Sequence, residues 1–135
     1  MSADQPLILI VDDDFDFLEI NRIILEGAGY RVATASNPDE ALTRIDVEAP
    51  ALVITDLMMT SIDAGFDFAA RLKEDPRTAE VPVIISTSVS SALGLDFRPE
   101  SADDLEKMNV DAYFDKPIDA RALLAKVREL LGARD

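Results

Sequence analysis

Short apolar runs alternate with segments of helical period along this chain. Leu7 to Val11 is an unbroken apolar run that ends in acids, the mark of a buried strand. Phe15 to Ala28 follows, with Phe17, Ile20 and Ile24 near helical spacing, and Gly29 suits the helix C-cap. Arg31 to Ala35 predicts a second strand. Asn37-Pro38 then reads as N-cap and first helical residue. Pro38, Ala41, Leu42 and Ile45 complete the i, i+3, i+4, i+7 stripe of a second helix. Ala51 to Thr55 predicts a third strand, ending at Asp56. A loop containing Gly65 leads to a helix from about Phe66 to Glu74, stopped near Pro76. Val81 to Ser86 reads as a fourth strand and Ala112 to Phe114 as a short fifth. Between them lie a loop and one helix, near Glu100 to Met108. The last helix has a stripe of Ala120, Leu123, Leu124, Val127 and Leu131.

Five units of strand and helix follow from this pattern. Strands that are apolar throughout, alternating with amphipathic helices, predict a parallel sheet covered on both faces. Its crossovers are right-handed. In such open sheets, sites form where strand C-termini meet a topological switch point.

Composition narrows the chemistry. The 135 residues suit one domain. Acids outnumber bases 27 to 13, for a net charge of −14. A field of that sign repels phosphate backbones and anionic lipid heads, so neither direct nucleic-acid nor membrane binding is expected. Cys and His are both absent, which removes thiol nucleophiles, imidazole acid–base catalysis and ordinary zinc sites. Carboxylate, hydroxyl and Lys chemistry remains, and carboxylate oxygens favour hard cations such as Mg²⁺ or Ca²⁺. The N-terminal MSADQP has no basic region or long apolar stretch, and a cytoplasmic location is expected.

The polar residues fall at the strand ends. The first strand ends in Asp12, Asp13 and Asp14, the third in Asp56, and the fourth in Ser86, Thr87 and Ser88; Lys116 follows the fifth. A parallel sheet gathers all of these on one edge. Crowded acids repel one another, and a divalent cation relieves that repulsion. A nucleophile, a hydroxyl and an ammonium around a metal are the parts that phosphoryl transfer needs.

LILIVDDD, VITDLMM, VIIST and YFDKP, in that order, resemble the receiver domains of two-component response regulators, of the stand-alone type. The resemblance runs from Leu7 to Leu131. It implies a flavodoxin-like, doubly wound α/β fold with a five-stranded parallel sheet in the order 2-1-3-4-5. The receiver domain would span residues 7–132, between tails 1–6 and 133–135. Asp56 matches the phosphoacceptor. Asp12 and Asp13 match the acidic pair that holds Mg²⁺, together with Asp56 and the backbone carbonyl of Met58. Thr87 matches the switch hydroxyl, Lys116 the ammonium that pairs with the phosphoryl group, and Tyr113 the aromatic switch. Without His the chain cannot be its own phosphohistidine donor. The resemblance implies a separate histidine kinase or histidine phosphotransfer protein as donor, and a downstream protein partner. A monomer or weak dimer is expected.

The chain also departs from the family. Thr60 stands where a Pro is usual, the loop from Thr60 to Gly65 is longer, and so is the segment from Thr87 to Tyr113. Gly94 and the pair Arg98-Pro99 break helical periodicity there, so the region from Ser88 to Asp111 is expected to be mobile and to determine partners. Plainer readings exist for some residues. Asp14 suits a helix N-cap, Tyr113 a core or edge aromatic, and Met58 and Met59 packing. Two rival functions share the sequence features. Asp12 to Asp14 contains the D-x-D of haloacid-dehalogenase-type phosphatases, but Asp16 stands where Thr or Val is expected and no acidic pair follows Lys116. A receiver-shaped binding module that is never phosphorylated is the other, and the intact set of acids, Thr and Lys argues against it.

Overall fold

The computed structural model describes residues 6–56, 64–87, 111–115 and 119–131, with backbone alone for residues 56, 64–67, 69, 87, 113 and 115. Five strands are present: β1 (Leu7–Val11), β2 (Arg31–Ala35), β3 (Leu52–Asp56), β4 (Val83–Thr87) and β5 (Ala112–Asp115). Four helices accompany them among the described residues: α1 (Phe15–Gly27), α2 (Pro38–Val47), α3 (Ala64–Glu74) and α4 (Ala120–Leu130). All pairings are parallel, in the order β2-β1-β3-β4-β5. This is the doubly wound order expected, with β1 and β3 side by side at its centre.

Alternation along the strands divides the core in two. Leu9, Val11, Val53, Val83 and Ile85 pack with Ala41 and Ile45 of α2 and Phe68 and Leu72 of α3. Ile8, Ile10, Leu52, Ile54, Ile84 and Ala112 pack on the other face with Phe17, Leu18 and Leu25 of α1 and Leu123 and Val127 of α4. Buried strands with apolar residues on both faces are what a parallel sheet between two helical layers requires.

Local chemistry sets the ends of the elements. Asp14 caps α1 by accepting Asp16 N–H at 3.0 Å and Phe17 N–H at 3.3 Å. At its other end, Tyr30 N–H reaches Leu25 C=O and Gly29 N–H reaches Glu26 C=O, both at 3.1 Å. That Schellman closure needs a left-handed residue, and Gly29 has φ 101°. Asn37 caps α2 through Glu40 N–H at 2.8 Å, with Pro38 in the first turn.

Three expectations are corrected. The buried stripe of α1 is Phe17, Leu18, Asn21 and Leu25, while Ile20 is 58% exposed. The apolar spacing put the stripe on Phe17, Ile20 and Ile24, and a polar Asn21 is not part of any apolar pattern. It is buried because its Nδ2 donates to Phe17 C=O at 2.8 Å. β4 begins at Val83, not Val81: Val81 N–H is taken by Thr78 C=O in a turn, and Pro82 has no N–H to give. α3 begins at Ala64, so Gly65 lies in its first turn and not in the loop. The expected helix from Glu100 to Met108 and the segment before it lie outside the described residues, apart from Asp111.

Candidate functional site

The register of the sheet brings the strand ends together. Val11 pairs with Ala35 on one side and Thr55 on the other; Thr55 pairs with Ile85, and Ile85 with Tyr113. The next row holds Asp56 beside Ser86, and Ser86 beside Phe114. Asp12 continues that row past the end of β1, where its N–H still donates to Ala35 C=O at 3.0 Å. Asp12, Asp56 and Ser86 therefore share one step of the sheet, and the alternation of β1 and β4 puts Asp12 and Ser86 on its α1/α4 face. Thr87 lies one step further on β4, paired with Asp115.

Burial separates the three acids after β1. Asp12 is fully buried, with Oδ1 accepting Asp14 N–H at 2.8 Å. Asp13 is exposed, and Asp14 is committed to the α1 cap. A buried carboxylate is costly unless a charge or donors balance it. A buried acid beside an exposed one, at the mouth of an all-oxygen donor set, fits a hard cation that keeps several waters. Among the described residues no group of three acids is arranged to hold a metal ion. Met58 and Lys116 lie outside the described residues, and for Asp56, Thr87 and Tyr113 only the backbone bears on the site.

Ser86 was read from the sequence only as one polar residue of a strand end. In the structure it is fully buried, and its Oγ is a buried side-chain atom without a hydrogen-bond partner. The sequence carried a signal for it: a hydroxyl directly following the aliphatic Val83, Ile84 and Ile85 of β4. A cavity of about 210 Å³ lined by Leu7, Leu9, Ala33, Arg44, Val47, Glu48 and Pro50 lies away from the strand C-termini. It is smaller than ordinary ligand pockets and holds none of the chemistry described above.

Residues 8–128 match the response regulator receiver domain family. The chain belongs to that family. The receiver domain is 36% identical over 133 residues to the DNA-binding dual master transcriptional regulator RpaA of Synechocystis, covering 97% of this chain and 51% of that protein. It is 32% identical to an uncharacterised 14.6 kDa protein of Leptolyngbya boryana, covering 93% of this chain and 89% of that protein. The chain spans about half the length of most of the curated relatives it matches. A CheY-like receiver domain protein from Methanospirillum hungatei superposes with a TM-score of 0.77 at 28% identity, over 95% of this chain and 94% of that one. The chemotaxis regulator CheY4 of Vibrio cholerae, at 22% identity and a TM-score of 0.77 over 93% of this chain and 98% of its own, shares the fold.

Receiver domains are signalling domains phosphorylated on an Asp in two-component systems, with the phosphoryl group taken from histidine kinases. The family generally binds Mg²⁺ for that step. No helix among the described residues is long and apolar enough to cross a membrane.

Proposed function

We propose that this receiver domain accepts a phosphoryl group on Asp56 from a histidine kinase or histidine phosphotransfer protein, in a Mg²⁺-dependent reaction in the cytoplasm. The modified domain then presents a changed surface to a downstream protein. The observation that supports this best is the place of Asp56. It ends a central strand, between the strand that leads into buried Asp12 and the one that carries Ser86 and Thr87.

A carboxylate oxygen of Asp56 forms the new P–O bond as the P–N bond to the donor imidazole breaks. The electron pair of that bond stays on the imidazole nitrogen, which takes up a proton as it leaves. Asp12, Asp13, Asp56 and the Met58 carbonyl would hold Mg²⁺, which when bound supplies positive charge to the phosphoryl oxygens. Lys116 adds a second positive charge, and Thr87 donates a hydrogen bond once the group has arrived. Tyr113 follows Thr87 as the switch. The chain needs no further enzyme activity: it takes the phosphoryl group and loses it again to water.

With a net charge of −14, this stretch of chain meets a protein rather than nucleic acid or membrane, as a monomer or weak dimer. Intact mass after acetyl phosphate and Mg²⁺ tests the reading. The unmodified chain gains one phosphoryl group and Asp56→Asn gains none. Labelling of that variant at Asp12 or Asp13 would refute the assignment.

A further inference from the structure

The described residues include five fully or nearly buried polar side chains: Asp12, Asn21, Thr55, Thr78 and Ser86. Asp12 accepts Asp14 N–H, Asn21 donates to Phe17 C=O, and Thr78 Oγ1 donates to Leu72 C=O at 2.7 Å. Thr55 is also engaged. Ser86 Oγ differs, being buried with no partner. A hydroxyl taken from water without a partner destabilises the fold, and selection removes such groups unless something satisfies them in another state. An Ala or Val would fill this β-strand position without that cost.

The place of Ser86 indicates what satisfies it. It is the register partner of Asp56 on the adjacent parallel strand. Neighbouring strands lie about 4.8 Å apart, so residues in register are immediate neighbours across the sheet. Ser86 also directly precedes Thr87 at the end of β4.

We propose that the Ser86 hydroxyl is a second hydrogen-bond donor for the phosphoryl group on Asp56, acting from the α1/α4 face of the sheet. The proposal rests on Asp56 being the acceptor. The O–H is without a partner in the unmodified domain and donates to an oxygen of the aspartyl phosphate once it forms. Such a bond to a charged oxygen favours the modified state over the unmodified one, in which the hydroxyl has no partner among the described residues. Ser86 thus lowers the stability of the resting domain and raises the affinity of the site for a phosphoryl group.

The test compares wild type, Ser86→Ala, Ser86→Thr and Asp56→Asn. Labelling by acetyl phosphate with Mg²⁺ is followed by intact mass, and beryllofluoride binding by fluorine NMR. Ser86→Ala is expected to be at least as resistant to urea as wild type. It should also bind beryllofluoride about tenfold more weakly, the loss of one charge-assisted hydrogen bond. One bound-fluorine resonance should shift in Ser86→Ala and return in Ser86→Thr, which keeps the hydroxyl. If Ser86→Thr is unfolded by circular dichroism, the wild-type and Ala pair decides. Equal beryllofluoride affinity and an unchanged fluorine spectrum in Ser86→Ala overturn the proposal while leaving Asp56 as acceptor. Failure of wild type itself to take a phosphoryl group would remove both readings.

Discussion

Asp12 Oδ1 accepts the backbone N–H of Asp14 at 2.8 Å, so one buried carboxylate holds the turn between β1 and α1. The same side chain is read as a metal ligand, and the two roles separate on substitution. Asp12→Asn keeps an acceptor oxygen for Asp14 N–H and removes a buried negative charge. Asp12→Ala removes the acceptor as well. We expect Asp12→Ala to be less stable than Asp12→Asn by about 1–3 kcal/mol in urea unfolding without Mg²⁺, the usual cost of stranding a buried donor. Equal stabilities would show that the bond contributes little.

Asp14 has the opposite profile. It is exposed and spends its carboxylate on Asp16 N–H and Phe17 N–H at the start of α1. Asp14→Ala should cost about 1 kcal/mol, and Asp14→Ser should recover most of it. Mg²⁺ affinity should be nearly the same in all three proteins. A large loss of affinity in Asp14→Ser would move Asp14 from the helix cap to the metal site.

Mg²⁺ should stabilise the domain beyond any general salt effect. A net charge of −14 makes the folded chain repel itself, and added salt screens that repulsion. Specific binding adds a further increment, about 2.7 kcal/mol at a hundredfold excess over Kd. Thermal melts in MgCl₂ and in NaCl of matched ionic strength separate the two. Asp13→Asn should fold, keep the salt response and lose the extra response to Mg²⁺. An undiminished Mg²⁺ increment in that variant would remove Asp13 from the ligand set.

Acid should weaken the fold through the surface pairs. The hydrogen bond from Arg31, reinforced by its charge, holds the Glu48 carboxyl below its ordinary value of 4.5. Arg22 does the same for Glu19, and Arg77 for Asp75, while the Ser36 N–H and hydroxyl lower Glu40. These groups bind protons more readily in the unfolded chain. Their stabilisation is therefore complete above the ordinary carboxylate range and lost as pH falls through the depressed folded values. Urea midpoints should fall between about pH 4.5 and pH 3. Each pair is exposed and screened, so Glu48→Gln should make that fall only slightly shallower. A steeper fall in Glu48→Gln would contradict the sign.

Where side-chain type and structural demand coincide, the sequence could be read directly. Asn37-Pro38, Gly29 and the apolar run of β1 each answer one local requirement: β1 and β2 have the expected bounds, and α1 and α2 start where expected. The difficulties arise where a polar residue is buried or a backbone partner lies far along the chain. Asn21 was missed as a core residue because its partner is a main-chain carbonyl, which leaves no trace in composition. The start of β4 depends on a turn made by Thr78 and on Pro82 serving Val53, neither of which periodicity registers. At the site, the strand-end acids were legible as a set. The vacant hydroxyl of Ser86 was not, because an unsatisfied group becomes visible only when its surroundings are known.

The face of the sheet that carries Asp12 and Ser86 is closed by the first helix and the last: Phe17, Leu18 and Leu25 of α1 pack in one cluster with Leu123 and Val127 of α4. During synthesis the chain emerges from its N-terminus, and α1 appears long before α4. Until Val127 has left the ribosome, Ile54 and Ile84 lack the cover that dries this side of the sheet. An incomplete nascent chain therefore lacks the finished floor of this side of the sheet until the closing turns of the last helix are made.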